Sequence, residues 1–359
     1  RIRELDGLRG VAILLVIGFH YLHVQAQPGA APGLVQAGAL FRWGWGGVDL
    51  FFVLSGFLIT GILLDHRDGA RYWRPFYLRR ACRIVPLYFL VIALFVALAP
   101  WGRAALPWLF ADARPLWSYL TFTQNLLMHD AGFGANWLGV TWSLAIEEQF
   151  YLVVPLLVRV LPRRALTAVF VVGIVAAPGL RLLVGNLGAY VFPFTRGDAI
   201  LAGGLLALLV RTPGAWAWVR ARAGGLAWLF VPALAAGVVL WRKNAGVGDP
   251  WLHAVFAGAA LVAVALPLAL PAGLLHRVLR HRVLVWWGLR SYAVYLLHQP
   301  VAGLLHGLLR GEPVPVFHGW EGSGVTLLAL AVTALLAEIS YRFFEGPLLA
   351  WGRRRGRWT

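Results

Sequence analysis

The sequence predicts an all-α protein, a polytopic bundle of about ten transmembrane helices. Three observations carry this. Hydrophobic residues make up 60% of the 359 positions and charged residues only 13%, with a mean hydropathy of +0.72; a soluble domain of this length needs more polar surface. Several apolar runs approach the roughly 20 residues that cross a bilayer. Basic residues also fall unevenly between alternate loops, as expected when positive charge gathers on the cytoplasmic side.

Spans are expected at 8–24, 45–64, 83–100, 141–160, 165–184, 194–211, 226–241, 251–270, 284–308 and 325–345. With the N-terminus in the cytoplasm, 22 of the 32 basic residues fall on inside segments and 8 on outside ones, Arg290 and Arg342 lying within spans. This favours cytoplasmic N- and C-termini. The segment 116–127 is too short and too polar to cross, with Ser118, Thr121, Thr123, Gln124 and Asn125. It is expected to be a re-entrant piece lining protein or water, since a full crossing there would invert every later loop. Residues 25–40 and 309–324 are expected as external connectors. The chain is expected to be a single membrane domain over 1–359, with no cleaved signal peptide and no fused soluble domain.

The net charge of +17 is explained by inside loops and does not call for nucleic acid. One cysteine, Cys82, excludes an intrachain disulfide and a cysteine-rich metal site, and no metal is expected. The sequence has no Gly-rich phosphate loop, no His-Glu-x-x-His and no Gly-x-Ser-x-Gly. ATP-driven transport and serine-triad hydrolysis are therefore disfavoured.

In the first span, His20 follows Arg9 by eleven positions. Eleven helical steps rotate about 1100°, three turns plus roughly 20°, and rise about 16 Å. The two should share a face, with a basic group at one membrane edge and a titratable one deep inside. Ionisable groups inside a span are costly and mark function by default. The second span carries Asp49 at its outer entrance and Ser55 six residues deeper. Asp49 calls for a partner, a histidine or arginine on the first helix, or else caps its own helix. Ser55-Gly56 reads equally as a small-residue helix contact. Before the third span, Arg80 and Arg83 share one helical face on the same side as Arg9. Such guanidinium groups suit a phosphate-rich ligand, although membrane anchoring explains basic residues there without a ligand.

The fourth span opens with Trp142, Ser143, Glu147, Glu148, Gln149 and Tyr151. Adjacent acids lie about 100° apart, so one is expected to point inward and the other to pair elsewhere. In the ninth span, Tyr295 and His298 share a face one turn apart. In the tenth, Arg342 and Glu345 read as a salt bridge. His23, His66, His129, His253, His276, His281, His306 and His318 are expected to be solvated.

Taken together, the chain resembles the acyltransferase family 3 membrane proteins. The resemblance rests on Leu5-Asp6-Gly7-Leu8-Arg9-Gly10 with its spacing to His20, on Gly47-Val48-Asp49-Leu50-Phe51-Phe52-Val53-Leu54-Ser55-Gly56-Phe57, and on Arg80-x-x-Arg83. It extends through Trp142-Ser143-Leu144, Glu147-Glu148-Gln149-Phe150-Tyr151 and Ser291-Tyr292-x-x-Tyr295-Leu296-x-His298. It covers nearly the whole chain. It implies an O-acyltransferase of the bacterial inner membrane that moves an acyl group, taken to be acetyl, from acyl-CoA to a sugar or related hydroxyl. No permanently bound cofactor is implied. The partners are acyl-CoA, a carbohydrate or other hydroxyl acceptor, and membrane lipids.

Under this resemblance, Arg9, Arg80 and Arg83 bind the phosphates of acyl-CoA. His20 is the catalytic base or transient acyl acceptor, and Asp49, Glu147 or Glu148 orients its ring. Ser55, Trp142, Ser143, Tyr295 and His298 contact substrate or support the site. The acceptor approaches from the outer side, where the two glutamates are expected. Two other readings are acylation of a small cytoplasmic acceptor such as a macrolide, and a proton-coupled carrier using His20 and the acids as a relay.

Overall fold

A computed structural model describes residues 2–26, 32–242, 249–316 and 319–358. Arg1 and Lys243, both in the charge count, and His318 lie outside the described residues. Those that are described form helices and connecting turns, with no strand.

Each expected span is helical. The long helices are α1 (Arg3–Ile17), α2 (Gly47–Asp65), α3 (Trp73–Ala105), α4 (Thr141–Val160), α5 (Arg163–Leu182), α6 (Pro193–Val210), α7 (Phe230–Arg242), α8 (Pro250–Ala269), α9 (Arg282–Arg310) and α10 (Gly319–Ile339). A final helix, α11, covers Gly346–Arg355. Among the described residues, seven helical stretches are long and apolar enough to cross a membrane. The pair Pro213–Ala221 and Ala223–Val239, bent by 70°, adds an eighth if taken as one span. The chain is a multi-pass membrane protein.

Helices α4 and α9 fall outside the seven because their inner faces are polar. On α4, Ser143, Glu147 and Tyr151 recur every four residues, a spacing that keeps them on one face. The opposite face exposes Leu152, Val153, Leu156 and Val160, as suits a helix whose apolar side meets lipid. Helix α3 begins ten residues earlier than expected, so Arg79, Arg80 and Arg83 lie within it; arginine is a good helix former and does not end a helix.

Two close backbone approaches hold the bundle. A Cβ on Gly10 would lie 2.0 Å from the Leu284 carbonyl oxygen, and one on Gly288 would lie 1.8 Å from that of Asp6, which clamps α1 to α9. A Cβ on Gly56 would lie 1.8 Å from the Ile200 carbonyl oxygen, and one on Gly203 would lie 2.0 Å from that of Val53, which clamps α2 to α6. Gly56 is thus a small-residue helix contact, while Ser55 beside it faces elsewhere.

The segment 116–127 forms two short helices, Leu116–Leu120 and Gln124–Ala131, and neither crosses. Its amide donors are satisfied by protein, while the buried Gln124 Oε1 has no hydrogen-bond partner. Gln124 Nε2 donates to the Thr141 carbonyl (3.0 Å), Asn125 Nδ2 to the Val191 carbonyl (3.1 Å), and Gln149 Nε2 to the Phe122 carbonyl (2.8 Å). The expected connectors hold helix as well: Pro32–Leu40 falls inside 25–40, and α10 starts at Gly319.

Several polar expectations need correction. Arg342 pairs with Glu338 one turn back, not with Glu345. The chain forms a π turn over Ser340–Glu345, which rotates Glu345 away, and its carboxylate accepts from Ser340 Oγ at 2.8 Å. His253, His276 and His306 are buried rather than solvated. His276 Nε2 meets the Pro267 carbonyl (3.0 Å), and His306 Nε2 meets Thr326 (2.8 Å).

Candidate functional site

A cavity of about 450 Å³ opens among α1, α2, α3, α4, α9 and α11. This is within the size range of small-molecule sites. Arg9, Arg80, Arg83, Ser55, Ser143, Glu147 and Tyr295 all line it, so the structure brings together seven of the residues singled out from sequence. The three arginines come from two helices. Arg9 pairs with Asp6 at 3.5 Å, and the Arg80 guanidinium stands 5.7 Å from the Tyr151 ring centre. Arg83 has no acidic partner within 4 Å among the described residues. A cavity rich in guanidinium groups, Arg80 and Arg83 without an ion pair among the described residues, can accept an anion.

Glu147 lies against Ser55 and lines the same cavity as Arg9, Arg80 and Arg83. The Ser55 hydroxyl also meets Tyr151 Oη at 2.5 Å. The glutamate is therefore placed at the arginine end, not with the acceptor as expected. Two turns of α4 separate it from the helix start at Thr141, and this carries it to that depth. Glu148 points off the cavity, as the 100° offset requires. It is not among the lining residues, and its buried Oε1 has no hydrogen-bond partner.

Ser143 Oγ and Tyr295 Oη, 2.6 Å apart, line the same cavity. Tyr295 also donates to the Val140 carbonyl at 2.9 Å. One turn beyond Tyr295 is His298, and its ring centre is 4.9 Å from that of His20. His20 sits in a π turn, Gly18–His23, at the end of α1. A π turn advances fewer degrees per residue than an α turn, so His20 departs from the Arg9 face and meets α9. Such bulges recur at functional sites.

The hydrogen bonds assign the tautomers. His298 Nδ1 lies 2.7 Å from the Tyr295 carbonyl and 3.2 Å from that of Val294, so it carries hydrogen and leaves Nε2 as an acceptor. His20 Nδ1 lies 3.0 Å from the Val16 carbonyl and 3.3 Å from His298 Nε2, so it donates to both. The His20 Nε2 lone pair is left free to take a proton or attack carbon. The ring is oriented by a histidine and a carbonyl rather than by Asp49, Glu147 or Glu148.

Asp49 is occupied elsewhere. Its carboxylate meets Arg196 Nη1 at 3.0 Å, and both side chains are 0% exposed. The partner is on α6, not on the first helix, because Asp49 faces the side of α2 that Gly56 clamps to α6. Arg196 is boxed by Tyr190, Phe52 and Trp142, with ring centres 5.4, 5.8 and 6.0 Å from its guanidinium carbon. It also meets His253 Nδ1 at 2.5 Å. Arg181 pairs with Asp198 nearby. Trp142 and Asp49 therefore belong to this buried cluster and do not line the cavity.

Sequence reasoning missed Glu345 and Arg353, which line the cavity from the chain's last turns, and the roles of Tyr151, Arg196 and His253. Tyr151 was detectable as the residue four positions after Glu147. Nothing local marked Arg196, whose partner is 147 positions away.

The acyltransferase 3 family model, described as an acyltransferase domain, matches residues 2–342. The chain is 28% identical over 379 residues to O-acetyltransferase OatA of Staphylococcus aureus, covering 96% of the chain and 57% of that protein. It is 30% identical over 387 residues to putative peptidoglycan O-acetyltransferase YrhL of Bacillus subtilis, covering 98% and 55%. Peptidoglycan O-acetyltransferase OatA of Listeria monocytogenes is 27% identical over 383 residues, with 96% and 55% covered. The chain thus spans a little over half the length of these relatives. No solved structure matches it. With a family match over nearly its whole length and the expected arginines gathered in one cavity, the chain belongs to the acyltransferase 3 family.

Proposed function

We propose that this protein is an O-acyltransferase that moves an acetyl group from acyl-CoA, bound in the arginine-lined cavity, to a hydroxyl of an exported or lipid-linked glycan. Peptidoglycan is the acceptor class that its relatives' names point to. In this reading the cavity opens to the cytoplasm, in accord with the loop-charge asymmetry. The observation that carries the proposal is the convergence of Arg9, Arg80 and Arg83 on one cavity, whose wall includes Tyr295, one helical turn from the His298–His20 pair.

The chemistry follows from the site. Guanidinium groups bind phosphate oxygens through charge-assisted, bidentate hydrogen bonds. The pantetheine arm extends along the bundle, past the Ser143–Tyr295 contact, over the roughly 16 Å rise between Arg9 and His20. The acceptor hydroxyl approaches His20 from the opposite side. His20 Nε2 takes its proton as the oxygen attacks the thioester carbonyl. The new C–O bond forms, the C–S bond breaks, and the departing CoA sulfur takes the proton from His20, which leaves an ester and free CoA thiol. The transient imidazolium is stabilised by the Val16 carbonyl and His298 Nε2, both within reach of its Nδ1–H.

The test uses vesicles with the arginine mouth facing acetyl-CoA and the glycan on the other side. Thiol release that depends on the acceptor, and is lost in His20→Ala, is expected. Release that is independent of acceptor, or unchanged in His20→Ala, overturns the reading. Acetyl flux without thiol release supports the carrier instead.

A further inference from the structure

The cavity has a fourth arginine. Arg353, on α11, lines it together with Tyr341, Glu345 and Leu349. It has no acidic partner within 4 Å among the described residues. An arginine without an ion pair, sharing a cavity wall with Arg9, Arg80 and Arg83, adds to a positive field that attracts an anion.

The helix that presents Arg353 is docked, not loose. Gly352 rests on Cys82 of α3, where an added Cβ would come within 2.9 Å of the sulfur. Arg79 Nε donates to the Gly356 carbonyl at 2.8 Å, and its guanidinium carbon is 5.7 Å from the Trp358 ring centre. Trp358 stacks on His66 at 4.2 Å. The last turns of the chain are thereby strapped across the ends of α2 and α3, where Arg80 and Arg83 also sit.

We infer that Arg353 is a further binding residue of the cavity, contacting a phosphate at the nucleotide end of the acyl donor, and that α11 is a wall of the donor site. This rests on the acyl-CoA reading above. Arg353, Arg354 and Arg355 are all exposed, but only Arg353 lines the cavity. A basic segment that merely meets anionic lipid would use all three alike, whereas a donor site singles out Arg353.

The test measures equilibrium binding of CoA and of pantetheine to the full-length protein, in lipid-free detergent and in nanodiscs with and without anionic lipid. Arg353→Ala should weaken CoA binding about tenfold, as expected for the loss of one charge-assisted contact. Arg353→Lys should recover part of it, and Arg354→Ala should change nothing. Pantetheine, which lacks the nucleotide, should bind all variants alike. The effect should persist in detergent and shrink at high salt. Equal losses in Arg353→Ala and Arg354→Ala, or a loss seen only with anionic lipid, overturn the inference in favour of a lipid contact. Wild-type binding that depends on Arg80 and Arg83 but not on Arg353 overturns it while sparing the donor reading. No CoA binding by the wild type overturns both.

Discussion

Arg196→Met is the sharpest test of where Asp49 belongs. The two side chains are fully buried and 3.0 Å apart. At an effective dielectric of about 20, unit charges at that distance attract by about 5 kcal/mol. Removing one partner strands the other as a buried charge, at a cost of about 3–5 kcal/mol. Arg196→Met should therefore unfold well below wild type in a heating series read by size-exclusion fluorescence in detergent. Asp49→Leu should do likewise. The double variant should recover much of the loss, since a buried pair replaced by apolar side chains leaves no stranded charge. A double-mutant cycle isolates the coupling. Additive single effects, or an Arg196→Met as stable as wild type, would refute the reasoning. The folded double variant should also retain acyl transfer; if transfer disappears, Asp49 acts in the chemistry and not in the scaffold.

Two further outcomes follow from the site. Glu147→Gln removes the acid among three arginines and should lower acyl transfer by about tenfold or more, or ~1.4 kcal/mol. Glu148→Gln, whose buried Oε1 has no hydrogen bond to lose, should stay within about threefold; equal effects of the two would contradict the placement of α4. His298→Phe removes the acceptor from His20 Nδ1 and should lower kcat by about tenfold with donor KM unchanged. A change in KM alone would mean that His298 serves binding rather than the base.

Much of this was legible in the sequence because it is carried by short periods. The ten apolar runs, the Arg80-x-x-Arg83 face and the 100° divergence of Glu147 from Glu148 need only helical geometry. The arginine convergence was legible as well, because loop charge placed Arg9 and the third helix on one side. What failed depends on long-range pairing. The sequence offered no way to match Asp49 with Arg196, or to see that His253 would be buried between Trp45 and Tyr190, with ring centres 5.2 and 5.6 Å away. The π turns were invisible too, and they matter. One turns His20 from the Arg9 face to His298, and the other sends Glu345 into the cavity instead of onto Arg342. The expected carboxylate behind His20 was wrong for this reason: the rotated ring meets a histidine.

The central claim is that the donor is gripped at one place and its acyl group reacts at another. Binding and turnover measured on the same preparations separate the two. His20→Ala should bind acetyl-CoA with wild-type affinity and transfer nothing, whereas Arg80→Ala with Arg83→Ala should lose affinity in a salt-dependent way. If His20→Ala loses donor binding, or the arginine variant binds acetyl-CoA as well as wild type does, the separation of grip and reaction is contradicted.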